Sequence, residues 1–165
     1  MGKNIILYFL VLMTPISCGY TYQSVLPGHI QTLAVTPFEN HTFEPGLEID
    51  FNKKLTERVL FERIAQLTPI SKAEAVLKGN LLEYQREPLR YTESEEVQEY
   101  RLRLVIQAAL EDAKTGEVLW SENRFSGEAA FFTSGALTKS EQTSRDELLD
   151  DLARRLVARL AEGWE

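Results

Sequence analysis

The sequence predicts an α+β fold in which one four-stranded, mostly antiparallel sheet carries two amphipathic helices on one face. Residues 99–112 alternate apolar and polar side chains, the pattern of a strand with one buried and one wetted face. Three strand-like segments follow one another without a helical pattern between them, and two other segments have apolar residues four positions apart. The predicted order is β-α-β-β-β-α, within a single domain at residues 30–162.

The first half of this domain contains one strand and one helix. The strand is predicted within residues 30–38, where Pro37 closes an apolar stretch, and residues 39–42 follow as a loop. Pro45 and the glycine after it open the helix. Its apolar stripe repeats at every fourth position, at Leu47, Phe51, Leu55 and Val59. Residues 67–70 include a proline, so they form at most an edge strand.

The second half contains a three-stranded meander with strands at residues 75–86, 99–112 and 117–125. The polar segment 87–96 carries four glutamates and is predicted to be a loop. A glycine-containing hairpin at 112–116 joins the last two strands. On the middle strand the polar side chains share one face, which is predicted to be free for a partner; they are Arg101, Arg103, Gln107 and Glu111.

The chain is predicted to end in a second helix. Residues 126–140 are small and polar around two phenylalanines, which predicts a loop before it. Ser144 and Glu147 have the spacing of a capping box, so the helix is expected to begin near Ser144 and to end at Gly163. Its apolar face is predicted to consist of Leu148, Leu149, Leu152, Leu156 and Leu160.

The first 17 residues are predicted to be a signal peptide. Lys3 precedes nine consecutive apolar residues, too few to span a bilayer but typical of a signal h-region. Cys18, the one cysteine, follows Ser17 in a segment that resembles a bacterial lipobox, with Pro15 where leucine is usual. We therefore expect a lipid on Cys18 that anchors the mature chain to a membrane, and a linker over residues 18–29. A signal cleaved after Gly19 would instead discard the cysteine.

Composition and motifs argue against several classes of protein. The formal net charge is −7 and becomes −8 without Lys3 (17 basic and 25 acidic residues), so nucleic acid is not an expected partner. There is no phosphate loop, dinucleotide fingerprint or nucleophile elbow, so we expect neither an enzyme nor a cofactor. His29 and His41 are the only histidines, and neither has a second ligand at metal-binding spacing.

Two groups of side chains are candidates for contact with a ligand or partner. The first is a basic set around the predicted 87–96 loop, made of Arg86, Arg90, Arg101 and Arg103. Guanidinium groups suit bidentate contact with phosphate or carboxylate, although these arginines could equally balance the glutamates at 93–99. The second is aromatic and could serve either packing or partner contact; it consists of Trp120, Phe125, Phe131 and Phe132.

Short segments spread along residues 18–162 resemble the LptE family of lipopolysaccharide-assembly lipoproteins. In chain order these segments are Cys18-Gly19-Tyr20, Leu26-Pro27, His29-Ile30, residues 35–40 (VTPFEN), 43–48 (FEPGLE), 73–79 (AEAVLKG), 84–88 (YQREP) and 115–120 (TGEVLW). The resemblance implies a fold of two helices on a four-stranded sheet, the order already predicted from the residue patterns. Gly19, directly after the cysteine, favours the outer membrane by the same kind of resemblance.

The resemblance also implies a function. A member of the family would plug the lumen of an LptD-type outer-membrane β-barrel, assist its assembly and help deliver lipopolysaccharide to the outer leaflet. Family members bind lipopolysaccharide through basic residues, which makes Arg86, Arg90, Arg101 and Arg103 the candidates in this chain. The alternative is an envelope scaffold or secretion-accessory lipoprotein that self-assembles and has no lipopolysaccharide role.

Overall fold

The structure is a computed structural model that describes residue 26 and residues 30–134 and 138–162. The predicted signal peptide, Cys18 and most of the predicted linker therefore lie outside the described residues, as does Gly163. The elements in chain order are β1 (Thr32–Val35), β2 (Glu39–Asn40), α1 (Leu47–Glu62), β3 (Gln66–Leu67), a 3₁₀ turn (Ile70–Lys72), β4 (Ala75–Tyr91), β5 (Val97–Asp112), β6 (Val118–Phe132) and α2 (Glu141–Glu162). Neither described helix has the length and apolar character needed to cross a bilayer.

The sheet has six strands and is mixed, so the prediction of four mostly antiparallel strands is wrong in detail. Its strand order is β3-β1-β4-β5-β6, with β2 also beside β4. β4, β5 and β6 form the predicted antiparallel meander. β1 and β2 instead run parallel to β4, and β3 runs parallel to β1. The reason is that α1 is a crossover connection, which returns the chain to the end of the sheet where β1 began.

Both helices pack on one face of the sheet, as predicted. The predicted stripe of α1 is fully buried, and so are the leucines predicted for α2. These side chains form one core cluster with alternate residues of the strands, including Leu102, Leu104 and Ile106 of β5. Phe38 and Phe51 meet edge to face within it, with ring centroids 5.2 Å apart. Leu26, inside the predicted linker, also packs in this core.

The strand β4 continues through Pro88 to Tyr91, beyond the predicted end at Arg86. Proline is tolerated here because β2 accompanies β4 only as far as Leu81, so the later part of β4 has β5 as its one neighbour among the described strands. The connection to β5 is consequently a five-residue turn, 92–96, rather than the predicted 87–96 loop. We call this end of the sheet the tip, and the end with the 112–116 hairpin the base.

The strand β6 continues to Phe132, so residues 126–132 are not the loop that the sequence predicted. Its second half lacks bulky alternating side chains because α2 packs closely on it. A Cβ placed on Gly127 would lie 3.0 Å from Leu148 Cδ1 and 3.2 Å from Leu152 Cδ1. Gly127 is therefore the small residue that lets the helix approach the sheet. Because it has no side chain, it also interrupts the hydrophobic pattern from which a strand is predicted.

The helix α2 begins at Glu141, one turn before the predicted start. Ser140 caps it, because its Oγ accepts a hydrogen bond from the backbone N–H of Thr143 at 3.1 Å. Ser144 lies inside the helix and is fully buried, and its hydroxyl has no hydrogen-bond partner among the described residues. The capping-box assignment at Ser144 is therefore wrong, since Ser140 occupies the capping position one turn earlier.

Glu74 holds the start of β1 against the start of β4 at the base. Its carboxylate accepts hydrogen bonds from the backbone N–H groups of Gln31 and Thr32 at 2.7 and 3.0 Å, and from the Thr32 hydroxyl at 3.2 Å. The two backbone hydrogen bonds lower the pKa of the Glu74 carboxyl below its ordinary value. The chain thus enters the sheet at a defined point, next to the 112–116 hairpin, where Ala113 donates to the Glu74 carbonyl.

Gly79→Ala is expected to destabilise the domain by about 3 kcal/mol, because overpacking a rigid site has a cost of this order. The new Cβ would lie 2.2 Å from the backbone oxygen of Gln107 and 2.3 Å from the Phe38 ring. Gly127→Ala is the matched control, since its new Cβ would meet side-chain ends at 3.0–3.2 Å and no backbone atom as close as 2.2 Å. Urea unfolding followed by circular dichroism measures both, and equal effects would contradict the predicted difference in packing.

Ser140→Ala should cost about 1 kcal/mol of stability through loss of the α2 cap. Ser144→Ala should cost nothing or stabilise slightly, because it removes an unpaired buried hydroxyl from a helix interior. Urea titration measures the free energy of unfolding of both variants. The assignment of the helix start fails if Ser144→Ala proves the more damaging of the two.

Candidate functional site

The face of the sheet opposite the helices carries a ladder of cross-strand polar contacts, and we call it the open face. The predicted polar face of β5 lies here: Gln107 accepts a hydrogen bond from Asn80 on β4 and donates one to Asn123 on β6, both at 3.3 Å. Toward the base, Lys78 lies 2.5 Å from Glu111. The open face is therefore polar and of mixed charge across all three long strands.

The tip half of the open face contains two arginines that share one carboxylate. Arg101 Nε lies 3.8 Å from Glu128 Oε2, and Arg103 Nε lies 3.7 Å from Glu128 Oε1. The register explains the arrangement, because Arg103 stands directly opposite Glu128 on β6 and Arg101 is two positions along the same face. Both distances are beyond hydrogen-bond range, so Glu128 compensates charge without satisfying the guanidinium donors.

Arg103 has a buried donor without an acceptor. Its Nε is shielded from solvent and has no hydrogen-bond partner among the described residues, while 43% of its side chain remains exposed. Buried polar groups in folded proteins are nearly always hydrogen-bonded, so an orphan donor at a surface site calls for an explanation. The rest of the side chain is exposed, and an exposed guanidinium suits contact with a phosphate or carboxylate oxygen from outside the chain.

Arg90 stands on the same face at the extreme tip. Its Nε lies 3.6 Å from Glu99 Oε2, and its guanidinium lies over the Phe132 ring, 5.9 Å from the centroid. The side chain is 62% exposed. Leu89 and Tyr91, on either side of it in the chain, are exposed as well. The tip thus combines a cation with apolar surface.

Arg86 lies on the helix-covered face, apart from the other three arginines. Its Nη1 donates to Glu141 Oε2 at 2.8 Å, and its guanidinium lies over the Tyr100 ring at 5.2 Å. The Glu141 hydrogen bond raises the pKa of Arg86 above its ordinary value. The cause of this placement is an irregularity in β4 between Leu81 and Glu83, which reverses the face of the residues that follow.

A second irregularity, between Pro88 and Arg90, places Arg90 opposite Glu99 on the open face. The structure therefore brings Arg90, Arg101 and Arg103 to one surface and leaves Arg86 on the other. Of the glutamates at 93–99 that could have balanced these arginines, Glu99 does so for Arg90. Glu128 is the partner of Arg101 and Arg103, and Glu141 is the partner of Arg86. Sequence reasoning missed Glu128 because its strand was predicted to be a loop.

The four aromatic residues are used mainly in packing. Phe131 is buried and stacks on Tyr100 with centroids 5.4 Å apart. Phe125 lies beneath the Arg155 guanidinium at 5.2 Å, and Trp120 packs against the core. Phe132, beneath Arg90, is the one on the open face. Phe132 is thus the member of this group that stays a candidate for partner contact on the open face.

No cluster of His, Cys, Asp or Glu that could hold a metal ion occurs among residues 30–134 and 138–162. His41 is exposed, with Nε2 3.4 Å from Glu39 Oε2. His29 lies outside the described residues. The described site consists of guanidinium donors on a polar sheet. Such donors suit the binding of an anion.

Several solved lipoprotein structures share this fold at low sequence identity. An uncharacterized lipoprotein B of Nitrosomonas europaea has a TM-score of 0.60 and 18% identity, covering 87% of this chain and 89% of its own. A minor lipoprotein of Acinetobacter baumannii has a TM-score of 0.55 and 16% identity, covering 81% and 94%. A PelC variant from Paraburkholderia phytofirmans, solved as a dodecamer, has a TM-score of 0.50 and 17% identity, covering 79% and 92%.

No curated protein matches the chain significantly. The family model for LptE, described as lipopolysaccharide-assembly, matches residues 30–160, which is nearly the whole predicted domain. That family consists of non-enzymatic lipoproteins. The resemblance identified in the short sequence segments is thereby confirmed, and the chain belongs to the LptE family of lipopolysaccharide-assembly proteins.

Proposed function

We propose that this protein is an outer-membrane lipoprotein that plugs an LptD-type β-barrel, assists the assembly of that barrel and helps deliver lipopolysaccharide to the outer leaflet. The observation that carries the proposal is the family match over residues 30–160. The lipid is carried by Cys18 after removal of residues 1–17, and the domain faces the periplasm or the barrel lumen.

The open face supports the plug role. The interior of a large outer-membrane barrel is polar, so a domain that fills it needs a polar surface of mixed charge. Ion pairs and amide hydrogen bonds run across the three long strands, among them Glu83 with Arg124 at 2.7 Å. A face of this kind can exchange hydrogen bonds with a barrel wall without burying unpaired charge.

The arginines of the tip half support a role in lipopolysaccharide binding. Lipopolysaccharide carries phosphate groups, for which guanidinium is a bidentate partner. Arg103 has an unsatisfied buried donor, and both Arg101 and Arg103 stand 3.7–3.8 Å from one shared carboxylate. Arg90 adds an exposed cation with apolar neighbours. Arg86 remains a candidate on the other face, although its substitution would also disturb α2 through Glu141.

Affinity purification in mild detergent through a C-terminal tag tests the plug role. We expect an LptD-type barrel to co-purify in near-equal amount, with the same tag on an unrelated outer-membrane lipoprotein as the control. Mass spectrometry of the complex gives the stoichiometry. Recovery of the protein alone, as a ring or as a monomer, would contradict the plug role and favour the self-assembling scaffold.

The double substitution Arg101→Glu with Arg103→Glu should weaken lipopolysaccharide binding at least about tenfold, because charge-assisted hydrogen bonds contribute about 1.5–3 kcal/mol each. Arg154→Glu on α2 is the matched control, since that arginine is similarly exposed and also paired with a carboxylate, Asp151. Binding is measured with immobilised lipopolysaccharide. Unchanged affinity of the double variant would exclude Arg101 and Arg103 as lipopolysaccharide contacts, whatever the result for Arg86→Glu.

A further inference from the structure

Three large apolar side chains are exposed near the base. Leu60 and Phe61 belong to the last turn of α1 and are 57% and 76% exposed, and Ile70 in the 3₁₀ turn is 59% exposed. Leu60 and Phe61 stand outside the core stripe of α1. Isolated exposed apolar residues are ordinary, but three of them at one end of a domain call for a function.

The chain brings the segments that carry these residues to the same end of the domain, where the chain enters the sheet. β3 follows α1 directly, and its first residue, Gln66, pairs with Thr32, the first residue of β1. The 3₁₀ turn follows β3 and leads to Glu74, whose carboxylate holds Gln31 and Thr32. The end of α1, the 3₁₀ turn and the beginning of β1 therefore meet at the base.

Exposed cations lie at the same end of the domain. Arg63 follows α1 directly, Lys72 lies in the 3₁₀ turn and Lys114 in the 112–116 hairpin, and all three are exposed. Arg63 is the one arginine in residues 30–134 and 138–162 that forms no ion pair with another described residue. The nearest helix carboxylate, Glu62, is occupied by Arg58 at 3.6 Å. Apolar side chains rimmed by free cations are typical of a surface that lies at a lipid headgroup layer.

The predicted anchor keeps this end of the domain close to the bilayer. Leu26 is buried in the core and lies eight positions after Cys18. Eight fully extended residues span at most about 29 Å, so Leu26 cannot lie farther than this from the lipid-bearing residue. β1 begins at the base six positions after Leu26, whereas the 17 residues of β4 carry the tip roughly 55 Å from the base. A lipid surface is therefore an occupant within reach of the exposed patch.

We infer that Leu60, Phe61 and Ile70 contact the membrane, inserting at the boundary between headgroups and acyl chains while Arg63, Lys72 and Lys114 lie at the level of the lipid phosphates. The inference rests on the proposed lipid anchor and is independent of the barrel and of the arginines on the open face. The contact would hold the domain in one orientation, since a flexible tether alone leaves it free to turn.

Depth-dependent fluorescence quenching tests this contact with the full-length lipidated protein. Single-cysteine variants Phe61→Cys and Ile70→Cys are labelled with an environment-sensitive dye, because an acylated Cys18 leaves the new cysteine as the one free thiol. Phe43→Cys, at the opposite end of α1, and Leu89→Cys, at the tip, are controls with exposed apolar positions of their own. The proteins are reconstituted into vesicles of phosphatidylethanolamine and phosphatidylglycerol, with and without brominated acyl chains.

We expect the dyes at 61 and 70 to shift to the blue and to lose at least about half of their emission to brominated lipid, as a label at the acyl boundary should. The dyes at 43 and 89 should keep aqueous spectra. Adding Phe61→Glu to the Ile70→Cys protein should abolish the quenching at 70, whereas adding Phe43→Glu should not.

Flotation of the unlabelled protein with the vesicles separates the two ways in which the inference can fail. Flotation without quenching at 61 and 70 would overturn the contact and leave the anchor intact. A blue shift that appears only when a protein partner is added, with no quenching by brominated lipid, would show that a protein covers the patch and would also overturn the contact. Absence of flotation would refute the anchor, and the inference with it.

Discussion

The antiparallel pairing of β4 with β5 determines where the functional side chains lie. The two strands remain paired from Ala75 and Asp112 at the base to Tyr91 and Val97 at the tip. Side chains in a strand alternate between faces, so this register decides which residues enter the core and which reach the open face. From Asp112 to Glu99 β5 pairs with β4 without a skipped residue, and its buried leucines and outward arginines follow from that alternation.

The irregularities in β4 modify this pattern at two places. The first, after Leu81, moves Arg86 to the helix side, where it bonds to the start of α2. The second, after Pro88, places Arg90 on the open face beside Glu99. These irregularities thus place Arg86 in a contact within the domain and Arg90 at a candidate ligand contact, although the two residues lie close together in the sequence.

Those features that depend on hydrophobic periodicity were predictable from the sequence. The stripe of α1, the meander and the outward position of Arg101 and Arg103 follow from spacing alone. The two-residue strand β2 was not predictable as such, because so few residues carry no period, whereas β3 lies at the sheet edge and overlaps the edge segment predicted at residues 67–70. The irregularities in β4 also leave no mark in the residue types, and Gly127 masked the second half of β6. The shared carboxylate Glu128 was missed for that reason.

The proposed contacts are distributed over the two ends of the domain and the open face. The base carries the chain entry and the apolar patch, and the tip carries cations with acceptors that only partly satisfy them. The ladder between them is polar on every strand, as a surface facing a barrel wall should be. This proposed division agrees with membership of a family described as lipopolysaccharide-assembly.

We propose that the barrel covers the open face, and photo-crosslinking in intact cells tests this contact. A photoreactive amino acid replaces Gln107, at the centre of the polar ladder, or Arg154, on the exposed side of α2, in otherwise unchanged protein. We expect position 107 to crosslink to an LptD-type barrel. Crosslinks from position 107 to a second copy of this chain, with no barrel product, would contradict it and indicate self-assembly through the sheet.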